Sequence, residues 1–247
     1  MLSSVLSPAP TLTPCAPPRN RLLGALPADE LARIRPHLER VQLQQRDIVH
    51  EPDLAISHVY FPETAVLSLV SAMDSGATVE VGTAGCEGMV GLSVLLAEDV
   101  STVRTLAQIP GAAERMTADV FARLASAPGA FHRILLRYTQ AFLTQVAQTA
   151  ACNGAHLVEE RCARWLLMTH DRVEGDEFPL THEFLAFMLG VRRAGVTVAM
   201  RALQDAGVVQ YSRGRVQIVD RSGLEAASCE CYGVVRTHFE RLLPQRG

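Results

Sequence analysis

Arg193, Thr197 and Arg201 stand at intervals of four, the spacing that lines side chains along one face of a helix. A guanidinium placed there can aim two N–H donors at a pair of acceptors, which is how arginine reads the O6 and N7 edge of guanine in a major groove. Val196, Ala199, Met200 and Leu203 fall on another side of the same helix and would fix it to a scaffold. Arg192 precedes this stretch, and Arg213 and Arg215 flank Gly214 just after it. Between residues 192 and 215 five arginines oppose one acid, Asp205. Thr181 is a candidate helix cap whose hydroxyl and following N–H groups suit a phosphate. The chain as a whole carries a formal net charge of −3, so a nucleic-acid surface must come from this local clustering. All 23 basic residues are arginine; codon bias explains that more simply than function does. A solvated helical face would also be rich in arginine, but it would not be followed at once by a basic hairpin.

Two helices joined by a tight turn must hold these groups. In the first, Phe184, Leu185, Met188 and Leu189 face inward, with Ala186 small enough for a close crossing. Gly190 suits the left-handed residue that ends a helix, and Val191 plugs the corner. The second helix is expected from about Arg192 to Ala206, ending at Gly207. The runs Val208 to Tyr211 and Arg215 to Val219 alternate about Ser212-Arg213-Gly214, which predicts a β hairpin with arginines at its tip.

Upstream the pattern divides the chain. Residues 1–19 are broken by Pro8, Pro10, Pro14, Pro17 and Pro18 with no preceding positive charge, and read as a disordered arm rather than a signal peptide. Residues 20–127 begin with helical spacing (Leu22, Leu23, Leu26, Leu31, Ile34, Leu38) and then change to short alternating runs, as in His58-Val59-Tyr60-Phe61 and Thr78-Val79-Glu80-Val81. Such runs with regular turns predict a barrel-like β roll. Residues 128–155 form one long helix in which Phe131, Leu135, Tyr138, Phe142, Gln145, Thr149 and Cys152 lie on one stripe. About 25 residues span about 37 Å, more than a small roll covers, so a parallel helix pair across a twofold axis is expected. Residues 156–247 make the last domain, entered by a helix carrying Leu157, Cys162, Trp165, Leu166 and Met168. The fold class is α+β.

Other chemistries are poorly served. Every apolar run is cut well short of the roughly 20 residues a membrane helix needs, so a cytoplasmic protein is expected. Cys15, Cys86, Cys152, Cys162, Cys229 and Cys231 are scattered without paired Cys-x2-Cys spacing. Reduced thiols and no metal are therefore expected, with Cys229-Glu230-Cys231 a weak exception. His50 and His58 alone do not make the metal site of a cupin enzyme, and no catalytic set emerges.

A β roll, a long helix and a winged helix–turn–helix, in that order, resemble the Crp/Fnr family of bacterial transcription regulators over roughly residues 20–235. Its most specific stretches here are Leu180 to Ala186, Leu189 to Arg193, the hairpin Val208 to Val219, His58 to Pro62 and Gly85 to Gly91. The resemblance implies a homodimer joined through helix 128–155 that binds double-stranded DNA at a palindromic site and contacts RNA polymerase. Arg193 falls where the family places a guanine-reading arginine. Ala194 and Val198 stand where cyclic-AMP responders carry a glutamate and a second arginine, so the operator should differ. Those members bind the nucleotide ribose through a Gly-Glu pair, but here Gly91 precedes Leu92, and Arg104-Thr105 arrives about two residues late for the phosphate. A cyclic nucleotide is thus disfavoured. Glu87, Gly91, Arg104 and Thr105 remain the effector candidates, for a signal the sequence does not identify. Two rivals stand beside this reading: a redox-responsive regulator working through Cys86, Cys152 or Cys162, and a sensor or adaptor that does not bind DNA.

Overall fold

The computed structural model describes residues 18–74 and 76–243. All of the proline-rich arm but Pro18 and Arg19 lies outside them, as does Cys15.

Helix α1 (Arg21–Gly24) is seeded by Asn20, whose buried side chain accepts from the N–H groups of Leu22 and Leu23 and donates to the carbonyls of Pro62 and Gly88. After Pro27 comes α2 (Ala28–Ile34), and the roll follows. Its strands are β1 (Glu39–Leu43), β2 (Ile48–His50), β3 (His58–Pro62), β4 (Val66–Ala72), β5 (Thr78–Ala84), β6 (Arg104–Ile109) and β7 (Gly111–Thr117), with helix α3 (Leu92–Leu95) before β6. They form two antiparallel sheets, ordered β1-β7-β3 and β2-β6-β4-β5. Leu43, Tyr60 and Ala113 of one sheet meet Leu67, Ala84 and Ala107 of the other inside the roll. The alternate residues Val59, Phe61 and Met116 face outward onto helices, as the period of two requires.

Helix α4 (Ala118–Ser126) leads to α5 (Ala130–Ala155), 26 residues long. Both oxygens of Glu30 accept the first N–H groups of α5, at 2.7 Å from Ala130 and 2.8 Å from Phe131, and these bonds hold the Glu30 carboxyl below its ordinary value. The inward stripe of α5 rests on the roll: Tyr138 donates to the Met89 carbonyl at 2.7 Å and Gln145 to the Thr83 carbonyl at 2.9 Å. Contact is tight enough that a Cβ on Gly88 would lie 2.5 Å from the Tyr138 ring.

This stripe is covered within the chain, by the roll and by the C-terminal helix, and not by a partner as its length suggested. Exposed positions of α5 form a different seam, Leu136, Gln140, Leu143, Ala147, Ala150 and Gly154, at alternating steps of four and three.

Helix α6 (Val158–His170) follows a break at His156-Leu157. The last domain continues with β8 (Glu177–Pro179), α7 (His182–Leu189), α8 (Arg193–Asp205), β9 (Val209–Ser212), β10 (Arg215–Ile218), α9 (Arg221–Ala227) and α10 (Cys231–Leu242). β8 joins the predicted hairpin to make a sheet ordered β8-β10-β9. With three residues, β8 is too short for an alternating pattern to mark it in the sequence. α10 returns against α5, where Phe239 meets Tyr138 with ring centroids 6.3 Å apart.

Candidate nucleic-acid interface

Local chemistry fixes the two-helix unit. The Thr181 hydroxyl caps α7 by accepting the Phe184 N–H at 3.1 Å. Gly190 takes φ +64°, which ends the helix, and Val191 donates back to the Ala186 carbonyl. Val196, Ala199, Met200 and Leu203 of α8 are buried, so the face expected to bind the scaffold does so.

On the other face Arg192, Arg193, Thr197 and Arg201 are exposed, as are Thr181, Arg213 and Arg215. Val198 shares that face and is 71% exposed, an apolar side chain free for a thymine methyl. The wing turns on Arg213-Gly214, both at positive φ, 49° and 74°. That pair matches the twist of the flanking strands and sets Arg213 at the apex.

Two arginines carry acidic neighbours. Arg201 lies 3.8 Å from Asp205 across one helical turn, both largely exposed. Arg215 pairs with Glu177 of β8. Such exposed pairs hold a guanidinium weakly, so a phosphate can replace the carboxylate.

His182 and Tyr211 join the three parts of this surface. The His182 ring stacks on Tyr211 of the wing, centroids 4.4 Å apart, and its Nδ1 lies 3.1 Å from the Thr197 hydroxyl of α8. Burial first, and then the charge of Arg193, hold the imidazole below its ordinary value. No local pattern marks this trio, whose members are far apart in the chain.

α7 also rests on the roll. Thr78 of β5 donates to the Phe187 carbonyl at 3.3 Å, and the Arg46 guanidinium lies 5.8 Å from the Phe184 ring centroid. A Cβ on Gly190 would come within 3.2 Å of both the Thr78 carbonyl and Val79. The helix that leads into α8 is thus in direct contact with the expected sensor.

The structure does not gather the four effector candidates. Glu87 is buried in an ion pair with Arg172, at the edge of a cavity of about 340 Å³ between the roll and the C-terminal helices. Arg104 pairs with Glu51 at 2.8 Å and lines a separate cavity of about 280 Å³ beside Phe184 and Phe187. Thr105 is buried within β6, and Gly91 at φ +92° starts α3. Leu92, at the position where the resemblance would place a ribose-binding carboxylate, is the first residue of α3.

The thiols are less scattered than their positions in the chain suggest. Cys162 is isolated and buried, its pKa pushed up to about 12 by that burial, which makes it inert. Cys152, Cys229 and Cys231 instead pack together. The sequence signal lay in Cys152-x3-His156, one turn of a helix, taken with Cys229-x-Cys231.

Residues 160–227 match the family model of the Crp-like helix–turn–helix domain. A search of curated proteins finds no match to the chain. Among solved structures, the chain is similar to a transcriptional regulator assigned to the Crp/Fnr family from Eubacterium rectale, with TM-score 0.66 and 19% identity over 85% of this chain and 98% of that one. It is similar to FixK2 from Bradyrhizobium japonicum, with TM-score 0.67 and 15% identity over 78% of this chain and 98% of that one. A third is the CRP-family regulator TTHB099 from Thermus thermophilus, with TM-score 0.64 and 17% identity over 77% and 96% of the two chains.

Proposed function

We propose that this chain, a transcription regulator of the Crp/Fnr type by its fold and its Crp-like helix–turn–helix, binds a palindromic DNA site as a homodimer. The observation that carries the reading is α8, with its exposed arginine ridge on one side and Val196, Ala199, Met200 and Leu203 buried on the other. Arg193 would read a base edge, with Thr197 and Arg201 assisting. Arg192, Arg213, Arg215 and Thr181 would hold phosphates, which position the helix without specifying sequence.

The second face of α5 supports a dimer. Leu136 and Leu143 are 47% and 57% exposed and stand seven residues apart, and Ala147, Ala150 and Gly154 continue the seam with residues that permit close approach. Two such helices in parallel would bury the leucines and set two α8 helices about one turn of DNA, roughly 34 Å, apart.

Regulation would pass from the roll to α8 through contacts already made, the seat of α7 on β5 and the ion pair Glu87–Arg172. A signal that shifts the roll would change the seating of α7, and with it the spacing of the two readers. A cyclic nucleotide is not favoured as that signal, since Leu92 stands where the ribose-binding carboxylate would be needed and Glu87 is buried against Arg172. RNA polymerase and the cytoplasm are the partner and setting that go with this function, which rests on binding rather than catalysis. No described helix is long and apolar enough to cross a membrane.

Anisotropy of labelled duplexes, drawn from a random library and titrated at several salt concentrations, tests the reading. Phosphate neutralisation by several arginines predicts a steep fall of affinity with salt and enrichment of an inverted repeat. Salt-independent binding, or none, would overturn it.

A further inference from the structure

Cys152 and His156 lie one turn apart at the end of α5, Cys231 is the first residue of α10, and Cys229 stands two residues before it. The four ligand atoms lie within 4.8 Å of one another. Cys152 Sγ is 3.5 Å from Cys229 Sγ, and Cys231 Sγ is 3.5 Å from His156 Nδ1. A tetrahedral ion with arms of about 2.0–2.3 Å holds its ligands roughly 3.3–3.8 Å apart, so small adjustments bring these atoms onto one centre. A multi-iron cluster is larger than the space they enclose.

Two further observations point the same way. The outer nitrogen of His156, Nε2, lies 3.2 Å from a carboxylate oxygen of Glu230. This is the carboxylate–imidazole arrangement that orients a histidine ligand and raises its basicity. The cluster also sits beside two buried guanidinium groups, Arg161 and Arg164, whose Nε atoms have no hydrogen-bond partner. A dication on three thiolates and a neutral imidazole leaves one net negative charge and Glu230 adds a second, which these two arginines would balance. Gln148 completes the surroundings by donating to Cys231 Sγ at 3.1 Å.

We propose that Cys152, His156, Cys229 and Cys231 bind a single zinc-class divalent ion that ties the end of α5 to the start of α10. The three thiols give up their protons to solvent as the ion binds, and no electron is transferred. His156 lies in the break between α5 and α6, so the ion fixes the joint between the long helix and the helix–turn–helix domain. The ion would therefore be structural, and its occupancy would govern how firmly that joint is held.

Metal content of the full chain, purified without chelator and measured beside total protein, is expected to show about one zinc per chain. Cobalt substitution should give thiolate-to-cobalt charge-transfer absorption with intense tetrahedral ligand-field bands. Stripping the ion should expose three further thiols to a thiol reagent. C229S/C231S should lose the ion, H156A should weaken it strongly, and H156C should restore it. E230Q should lower affinity about tenfold, a change that loss of packing alone would not produce. Should the double variant fail to fold, the wild-type stoichiometry, cobalt spectrum and thiol count carry the decision.

A folded chain with less than about a tenth of an equivalent of metal and no cobalt charge transfer would overturn the proposal. So would a Cys152–Cys229 disulfide in the purified chain, iron with acid-labile sulfide, or an ion retained by C229S/C231S. Every measurement is made without DNA, so this site and the DNA-binding reading fail independently.

Discussion

Glu87, in the loop after β5, accepts from Nε and Nη2 of Arg172, beyond the end of α6, at 2.8 and 2.7 Å. Their side chains are only 8% and 6% exposed. This pair joins the roll to the last domain, 85 residues apart in the chain. Taking two charges out of water is costly, and their mutual pairing offsets it together with the Gly85 N–H, which donates to Glu87 at 3.2 Å. Arg172 also donates to the Met168 carbonyl, which holds it in place.

Arg172→Met strands a buried carboxylate. A loss of roughly 3–5 kcal/mol is expected by urea denaturation. Adding Glu87→Leu removes the stranded charge and should recover much of it. A single variant as stable as wild type would show that the pair does not hold the two halves together.

Base reading and phosphate holding should separate by variant. Arg193→Ala should cost about 1–3 kcal/mol on the preferred site and relax sequence preference at one position. Arg213→Ala should weaken all duplexes alike and lower the salt slope by about one. The same salt slope and sequence preference in both variants would remove the assignment of Arg193 to a base.

Glu80 on β5 is buried, and burial pushes its pKa from 4.5 up to about 7. One of its carboxylate oxygens has no hydrogen-bond partner. The folded chain therefore holds this proton more tightly than the unfolded chain. Its contribution to stability is fullest at and below about pH 4.5 and is lost as pH rises through about 7. Glu80→Gln should raise Tm at pH 8, by up to roughly 3 kcal/mol of stability, and change it little near pH 5. Equal differences at the two pH values would contradict this.

Leu136→Glu with Leu143→Glu places carboxylates on the exposed seam of α5 and touches nothing of its inward stripe. Sedimentation should show monomers, with Tm of the monomer little changed and affinity for an inverted repeat falling at least tenfold. A variant that remains dimeric would move the interface elsewhere.

The helix–turn–helix was legible because its information is local. Helical periodicity separates Val196, Ala199, Met200 and Leu203 from Arg193, Thr197 and Arg201 with no knowledge of the rest of the chain. Periodicity does not say what covers an apolar face: the stripe through Phe131, Tyr138 and Phe142 suggests a partner by its length, and the roll and α10 cover it. Contacts between distant segments such as Glu87 with Arg172 and Thr78 with Phe187 left no trace in spacing, while the Cys152–Cys229 contact left only the short-range pairs Cys152-x3-His156 and Cys229-x-Cys231, with nothing to join them. The effector candidates failed to converge for a related reason. Their positions came from a resemblance, and in this chain each acid and base among them has found another neighbour.

Gly190 serves two masters. Its left-handed backbone makes the corner of the reading head, and its bare α-carbon lets the Thr78 strand lie flush against that corner. A methyl group there would crowd the Thr78 carbonyl and Val79 at 3.2 Å and strain the left-handed turn itself, loosening the corner where it meets the roll. Gly190→Ala should therefore lower both Tm and duplex affinity, and a variant equal to wild type in both would show slack at this corner.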